Sequence, residues 1–196
     1  MVWSGTAWSQ RASPGRYRGF VTPFNVRPAR TSDVPDIQRL IEPLAEQRIL
    51  LGKDRVVLYE AVQEFRVAET DDGAIIGCGA LHVMWEDLGE VRTLAAASDW
   101  LGRGVGHAIF ERIEADARTL GLGRLFCLTF ETGFFSRQGF EPIDEAVVAP
   151  EVFAQLALSP DEGVAEFLDL SRVKQNTLGN TRMLKLLTPL TPLTQL

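Results

Sequence analysis

The feature that most constrains this chain is the run from Gly89 to Gly106, where an extended stretch, Gly89 to Ala97, leads through glycines 102, 104 and 106 into an amphipathic pattern. Alternate glycines strip side chains from the start of a helix. They leave backbone N–H groups bare where the first-turn donors are unpaired and the helix dipole is positive. Such a turn is an anion cradle, and a plain tight turn is its structural alternative. No Lys-Ser/Thr pair closes it and its spacing is not G-x-G-x-x-G, so neither the nucleotide-hydrolysing loop nor the dinucleotide fingerprint fits. Strand, glycine turn and helix in this order suit the pyrophosphate of an acyl carrier.

The 196 residues suffice for one domain with a sizeable core, and 45% apolar with 23% charged residues is ordinary globular composition. A net charge of −6 argues against a nucleic-acid partner held by general electrostatics. Cys78 and Cys127 stand in apolar runs without a partner motif, as buried free thiols of a reducing compartment do. With His82 and His107 the only histidines, a structural zinc site has no ligand set, and no metal is expected. No apolar run reaches membrane-helix length and no signal-type core opens the chain, so no membrane partner and a cytoplasmic location are expected.

Residues 1–24, rich in Ser, Gly, Arg and Pro, read as a flexible arm, and 188–196, built on Thr-Pro-Leu, as a disordered tail. Phe24 to Pro28 alternates like a strand. Thr31-Ser32-Asp33 offers caps for a helix carrying Val34, Ile37, Ile41 and Leu44, which Pro43 should kink or end. A second helix is predicted from Asp54, with Val57, Leu58, Ala61, Val62 and Phe65 on one side. Asp71-Asp72-Gly73 turns Arg66 to Ala68 into Ala74 to Met84 as a hairpin, and Trp85 to Leu88 turns again. After the glycines, Val105, Ile109, Ile113, Ala117 and Leu120 form a helical stripe closed by Gly121. Leu125 to Phe130 is a strand, Glu131 to Gln138 a short helix, and Gly139-Phe140 starts another extended piece. The crossover helix makes the strands before and after it parallel neighbours, which would leave an opening where they splay. Glu151 to Ala157 suits a helix, Val164 to Leu170 is amphipathic without a clear period, and Met183 to Leu187 suits a last strand.

This order of elements resembles the GNAT acetyltransferase fold: α/β (α+β), a mixed central sheet with splayed parallel strands flanked by helices, spanning residues 25–187. Gly104 and Gly106 match the two small positions of that family's coenzyme A loop, while Leu101 stands where its Gln or Arg belongs and Arg103 offers a cation nearby. Within the family, Leu40 to Leu50, Ile76 to Leu81, Gly89-Glu90, Leu125 to Thr129 and Phe135 with Gly139-Phe140 resemble N-acetylglutamate synthase. The kinase domain that many such synthases carry at the N-terminus has no counterpart here, so the chain resembles the short, stand-alone form.

The resemblance implies acetyl-CoA as co-substrate, bound at Leu94, Ala95, Ala96, Leu101, Gly102, Arg103, Gly104, Val105, Gly106, His107 and Phe135, with backbone amides near Leu94 and Ala95 polarising the acetyl carbonyl. A base must free the α-amine before it attacks, and Glu90, early in the strand before the glycines, is the candidate. Arg92 lies on the same face of a regular strand, to hold a substrate carboxylate or to neutralise Glu90. Phe135 replaces the Tyr that many GNAT enzymes use as an acid, leaving Thr129, or water, to protonate the leaving thiolate. Lys53, Lys174, Asn180 and Arg182 fall where the family contacts its amino acid. The expected reaction is acetylation of the α-amine of L-glutamate, giving N-acetylglutamate for arginine biosynthesis. The alternatives are another amine (glutamine, another amino acid or a protein N-terminus) and a non-catalytic acyl-CoA sensor; oligomeric state is open, with a homodimer as one option.

Overall fold

The computed structural model describes residues 23–47, 49–50, 52–145, 148–170 and 180–187. The proposed arm before residue 23, Lys174 and the tail from 188 onward lie outside them. Seven strands form one sheet: β1 (Phe24–Pro28), β2 (Phe65–Thr70), β3 (Ile75–Trp85), β4 (Leu88–Ala96), β5 (Arg124–Thr129), β6 (Glu141–Pro142) and β7 (Thr181–Leu186). Their order is β1-β2-β3-β4-β5-β7-β6, and all neighbours are antiparallel except β4 and β5. That exception follows from α3 (Val105–Thr119), which crosses over between them.

Alternation of side chains sorts the core onto the two faces of the sheet. On one face Val91, Leu125 and Cys127 pack beneath α3, whose Val105, Ile109, Ile113 and Ala117 are buried, and beneath α4 (Thr132–Arg137). The other face carries two separate clusters. Cys78, Ala80 and Val67 pack under α1 (Val34–Glu46) and α2 (Arg55–Glu60). Met84, Leu88 and Phe126 pack under α5 (Pro150–Leu156) and α6 (Glu162–Phe167). Between these clusters the sheet is covered by neither helical pair.

Two expectations are corrected. The second helix stops at Glu60, and Phe65, expected on its apolar side, opens β2 with Val67 buried two residues on. A run that carries both periods goes to the strand once β1 and β3 offer it a ladder on each side. Asp33 does not cap α1 with its side chain; its carboxylate accepts from Arg27 Nη1 at 2.6 Å and from the Arg30 N–H at 2.7 Å. Pro43 sits near the end of α1, which runs only to Glu46.

Candidate active site

β4 and β5 are paired only from Leu88–Arg124 to Glu90–Phe126, although β4 continues to Ala96 and β5 to Thr129. The splay expected from sequence therefore begins immediately after Glu90, and beyond it the β4 edge facing β5 has no strand partner. β4 also bulges there: Cys78 pairs with Ala95 and Ala80 with Arg92, so Thr93 and Leu94 together face Gly79. Thr93 takes φ 57°, a left-handed conformation that costs a β-branched residue roughly 1–2 kcal/mol and that the surrounding ladder must impose. The bulge reverses the alternation. Val91 lies under α3, yet Ala95, four residues later, lies under α1.

A cavity of about 450 Å³ opens in this wedge, on the face left bare between the two helical pairs. Its floor is Glu90 and Arg92, its far wall Thr129 and Phe135, and the first turn of α6 closes one side. Glu90 is 6% exposed. The Arg92 Nε donates to Glu90 Oε2 at 3.0 Å, while Nη1 and Nη2 donate to the two oxygens of Asp161 at 3.0 and 3.1 Å. Asp161 Oδ1 also accepts the Val164 N–H at 3.0 Å, capping α6. One guanidinium thus ties β4 to α6. Behind them His82 Nε2 lies 3.9 Å from Asp161 Oδ2, and its Nδ1 is 2.8 Å from Glu64.

Burial pushes the Asp161 carboxyl up, but the Arg92 guanidinium, the Val164 N–H and His82 outweigh it and bring the pKa down to about 2. Burial also opposes the charge on Arg92, which Glu90 and Asp161 more than restore, so its pKa is raised. Glu166, farther along α6, is ion-paired with no cation among the described residues. Burial, then the charges of Glu90 and Glu162, raise it to about 7.

Of the residues expected to hold the amino acid, Lys53 and Asn180 line the cavity. Arg182 does not; its Nη2 pairs with Asp169 Oδ1 at 2.7 Å. Arg92 is also no open fork for a substrate carboxylate, because two protein carboxylates occupy it. Thr129 lines the cavity and is 8% exposed, and its Oγ1 accepts the Glu131 N–H at 2.9 Å, which leaves the hydroxyl hydrogen to donate. Sequence reasoning missed Asp161, Gly163 and Glu166. The available signal was Ser159-Pro160-Asp161 ahead of Glu162-Gly163-Val164, a helix-start pattern.

The glycine turn lies outside this cavity. Gly102 and Gly104 adopt φ 73° and 86°, and Gly104 caps α3 in the left-handed region that a side chain resists. Ala108 is the first residue whose N–H returns to the Gly104 carbonyl, at 3.0 Å, so the amides before it are the orphan donors of the helix start. The side chains expected there behave differently from one another. Val105 is buried in the core, as is Ala95, so either can contribute only backbone. Leu101 is exposed, Arg103 stacks on Trp100 at 5.3 Å, and the exposed His107 reaches Glu111 at 3.2 Å. Phe135 is packed edge-on against Phe110 and Phe140, at the cavity wall. Among the described residues no cluster of His, Cys, Asp and Glu is arranged to hold a metal ion, and no helix is long and apolar enough to cross a membrane.

Residues 36–140 match the model of the acetyltransferase (GNAT) family. An amino-acid acetyltransferase of Mycobacterium tuberculosis is 57% identical over 164 residues, 83% of this chain and 94% of the relative. A crystal structure from the same organism, in complex with CoA and NLQ, superposes with a TM-score of 0.80 over 84% of this chain and 99% of that one, at 57% identity. N-acetylglutamate synthase from Neisseria gonorrhoeae, complexed with coenzyme A and N-acetyl-glutamate, gives a TM-score of 0.67 at 28% identity. The match covers 84% of this chain and only 35% of that synthase.

Proposed function

The chain belongs to the acetyltransferase (GNAT) family, and on that premise we propose that this amino-acid acetyltransferase moves the acetyl group of acetyl-CoA to the α-amine of L-glutamate. The observation that carries the reading is the buried Glu90 carboxylate at the point where β4 and β5 part. The substrate enters as an ammonium. Glu90, directly or through one water, accepts its proton; the free nitrogen attacks the thioester carbon, forming N–C as C–S breaks, with no covalent enzyme intermediate. Unpaired β4 amides near Leu94 receive the carbonyl oxygen, and the glycine-turn amides the pyrophosphate. Water or the Thr129 hydroxyl protonates the departing thiolate and is restored by the second proton, which the attacking nitrogen loses as it becomes the amide. Arg92 acts as a clamp that fixes Glu90, and Lys53 remains to meet a substrate carboxylate. The product, N-acetylglutamate, belongs to arginine biosynthesis, in a cytoplasm whose reducing conditions suit the free buried thiols Cys78 and Cys127.

One observation favours a second substrate. The lining holds Asp54, Glu90, Asp161, Glu162 and Glu166 against Lys53 and Arg92, and Arg92 is already engaged. A side-chain carboxylate meets repulsion there that the amide of L-glutamine escapes. Release of free CoA, followed with a thiol reagent over glutamate, glutamine and aspartate, separates these readings. The first expects glutamate to lead in kcat/KM, and glutamine in the lead selects the second. Glu90→Gln should lose at least about 100-fold in turnover while still binding acetyl-CoA; turnover unchanged at neutral and high pH removes Glu90 from the base role.

A further inference from the structure

We propose that Glu166 is the second member of a proton relay in this site: Glu90 takes the proton from the substrate's ammonium and hands it to Glu166, which releases it to solvent. The inference rests on Glu90 acting as base.

The placement comes from α6. A Cβ built on Gly163 would lie 2.5 Å from Glu90 Oε2, so this face of the helix is pressed against the base. Positions three apart on a helix share a face, with Cβ atoms about 5–6 Å apart. Glu166 therefore stands one turn from the Glu90 carboxylate, on the same side, and lines the same cavity. Among the described residues no cation lies within ion-pairing distance of its carboxylate, whereas Glu90 and Asp161 share Arg92. Glu90 is buried, whereas Glu166 is only half-buried, so the relay runs from the interior outward.

The charges around Glu166 suit a carboxylate that gains and loses its proton in each cycle. Glu90 faces it from β4, Asp161 and Glu162 from its own helix and Arg182 from β7, while Lys53 and Asp54 line the cavity ahead of α2. Burial first, and then the acids, outweigh Arg182, while Arg92 in the same cavity is taken up by Glu90 and Asp161; a pKa of about 7 places the acceptor near the operating pH, where transfer is most efficient. In each turnover two N–H bonds break: the second is lost as the attacking nitrogen becomes an amide and balances the S–H formed on CoA, while the first becomes an O–H bond on Glu90. That O–H is then exchanged for one on Glu166, and a water carries the proton away, leaving both carboxylates as they began.

The test compares wild type, E166Q, E166D and E90Q by thiol release across pH 5.5–9.5, with acetyl-CoA affinity measured in parallel. Expected for E166Q is a kcat lowered about tenfold or more near neutral pH, loss of the acidic limb near pH 7, acetyl-CoA affinity within about twofold of wild type, and partial recovery in E166D. An E166Q profile superimposed on wild type beside an inactive E90Q overturns the relay and leaves the proposed function standing. E90Q at the wild-type rate overturns the relay together with Glu90's role. Should E166Q not fold, carbon-13 NMR of glutamate carboxyls in the wild-type protein decides. A glutamate titrating near pH 7 that moves in E166D supports the relay, and its absence overturns it.

Discussion

Gly163→Ala should separate catalysis from stability. Gly163 lies in the first turn of α6 without a positive φ, so alanine fits its backbone. The added methyl does not fit its neighbours. It would lie 2.5 Å from Glu90 Oε2 and 3.1 Å from both Arg92 Nη2 and Asp161 Oδ1, whereas ordinary contact begins at 3.4 Å. The shortfall at Glu90 is about 0.9 Å, from 3.4 minus 2.5. The carboxylate end of a glutamate can move that far cheaply, and Ala replaces Gly in a helix with a gain of about 0.5–1 kcal/mol. Folding should hardly notice, with a melting temperature within about 3 °C of wild type. With Glu90 in the proposed role of base, turnover should notice strongly, because displacing such a group by about 1 Å costs roughly 100-fold. The assay is kcat by thiol release beside a calorimetric melt of the same preparation. Turnover within twofold of wild type refutes the claim that α6 holds the base in register; a melting temperature lower by 10 °C or more refutes the claim that the pair yields without cost.

Asp161→Asn tests the clamp through acid stability. A carboxyl held at about 2 against an ordinary 3.8 stabilises the fold above about pH 4 and loses that contribution as pH falls through 2. At its half-buried position this amounts to about 1–2 kcal/mol after allowing for solvent screening. In urea titrations the gap between wild type and D161N should be full at pH 7 and should shrink from pH 4 toward pH 2; a gap independent of pH contradicts it. Gly104→Ala forces a side chain to φ 86°, at about 1 kcal/mol or more. Titration calorimetry should show acetyl-CoA affinity weakened about fivefold with the amino-acid KM unchanged, and an unaltered affinity would dissociate this turn from the cofactor.

The glycine turn, the crossover helix and the parallel pair were legible because each is written locally. Glycines at positive φ, the 3.6-residue stripe from Val105 to Ala117 and the apolar run of β5 sit within one stretch of sequence, and handedness does the rest. The place of Glu90 at the parting of β4 and β5 was legible for the same reason. The wall opposite it was not. Arg92 and Asp161 are 69 residues apart, and nothing in Val164 to Leu170 says which sheet face it covers. Glu166 looks like a solvated charge until Val164, Ala165, Phe167 and Leu168 are seen to be buried around it. The Thr93 bulge has no local signal at all, since threonine favours a regular strand; its cause is the two-to-one pairing against Gly79 on β3.

Charge divides the cavity by what each end can bind. Glu90, Asp161 and Glu166 set three carboxyl groups against the single guanidinium of Arg92 at the sheet end, with no other cation among the described residues lining the cavity there. An ammonium is the complement of that end, and its arrival favours ionised Glu166, as an added positive charge must. The carboxylate of an amino acid is repelled from the same groups and is left Lys53, in the loop before α2. In the proposed reaction this directs the amine toward the point where β4 and β5 separate and the rest of the molecule away from it, which is the orientation the attack requires. The same division makes the cavity selective: a second carboxylate on the substrate must share Lys53 with the first or find a cation beyond the described lining, whereas an uncharged side chain need do neither.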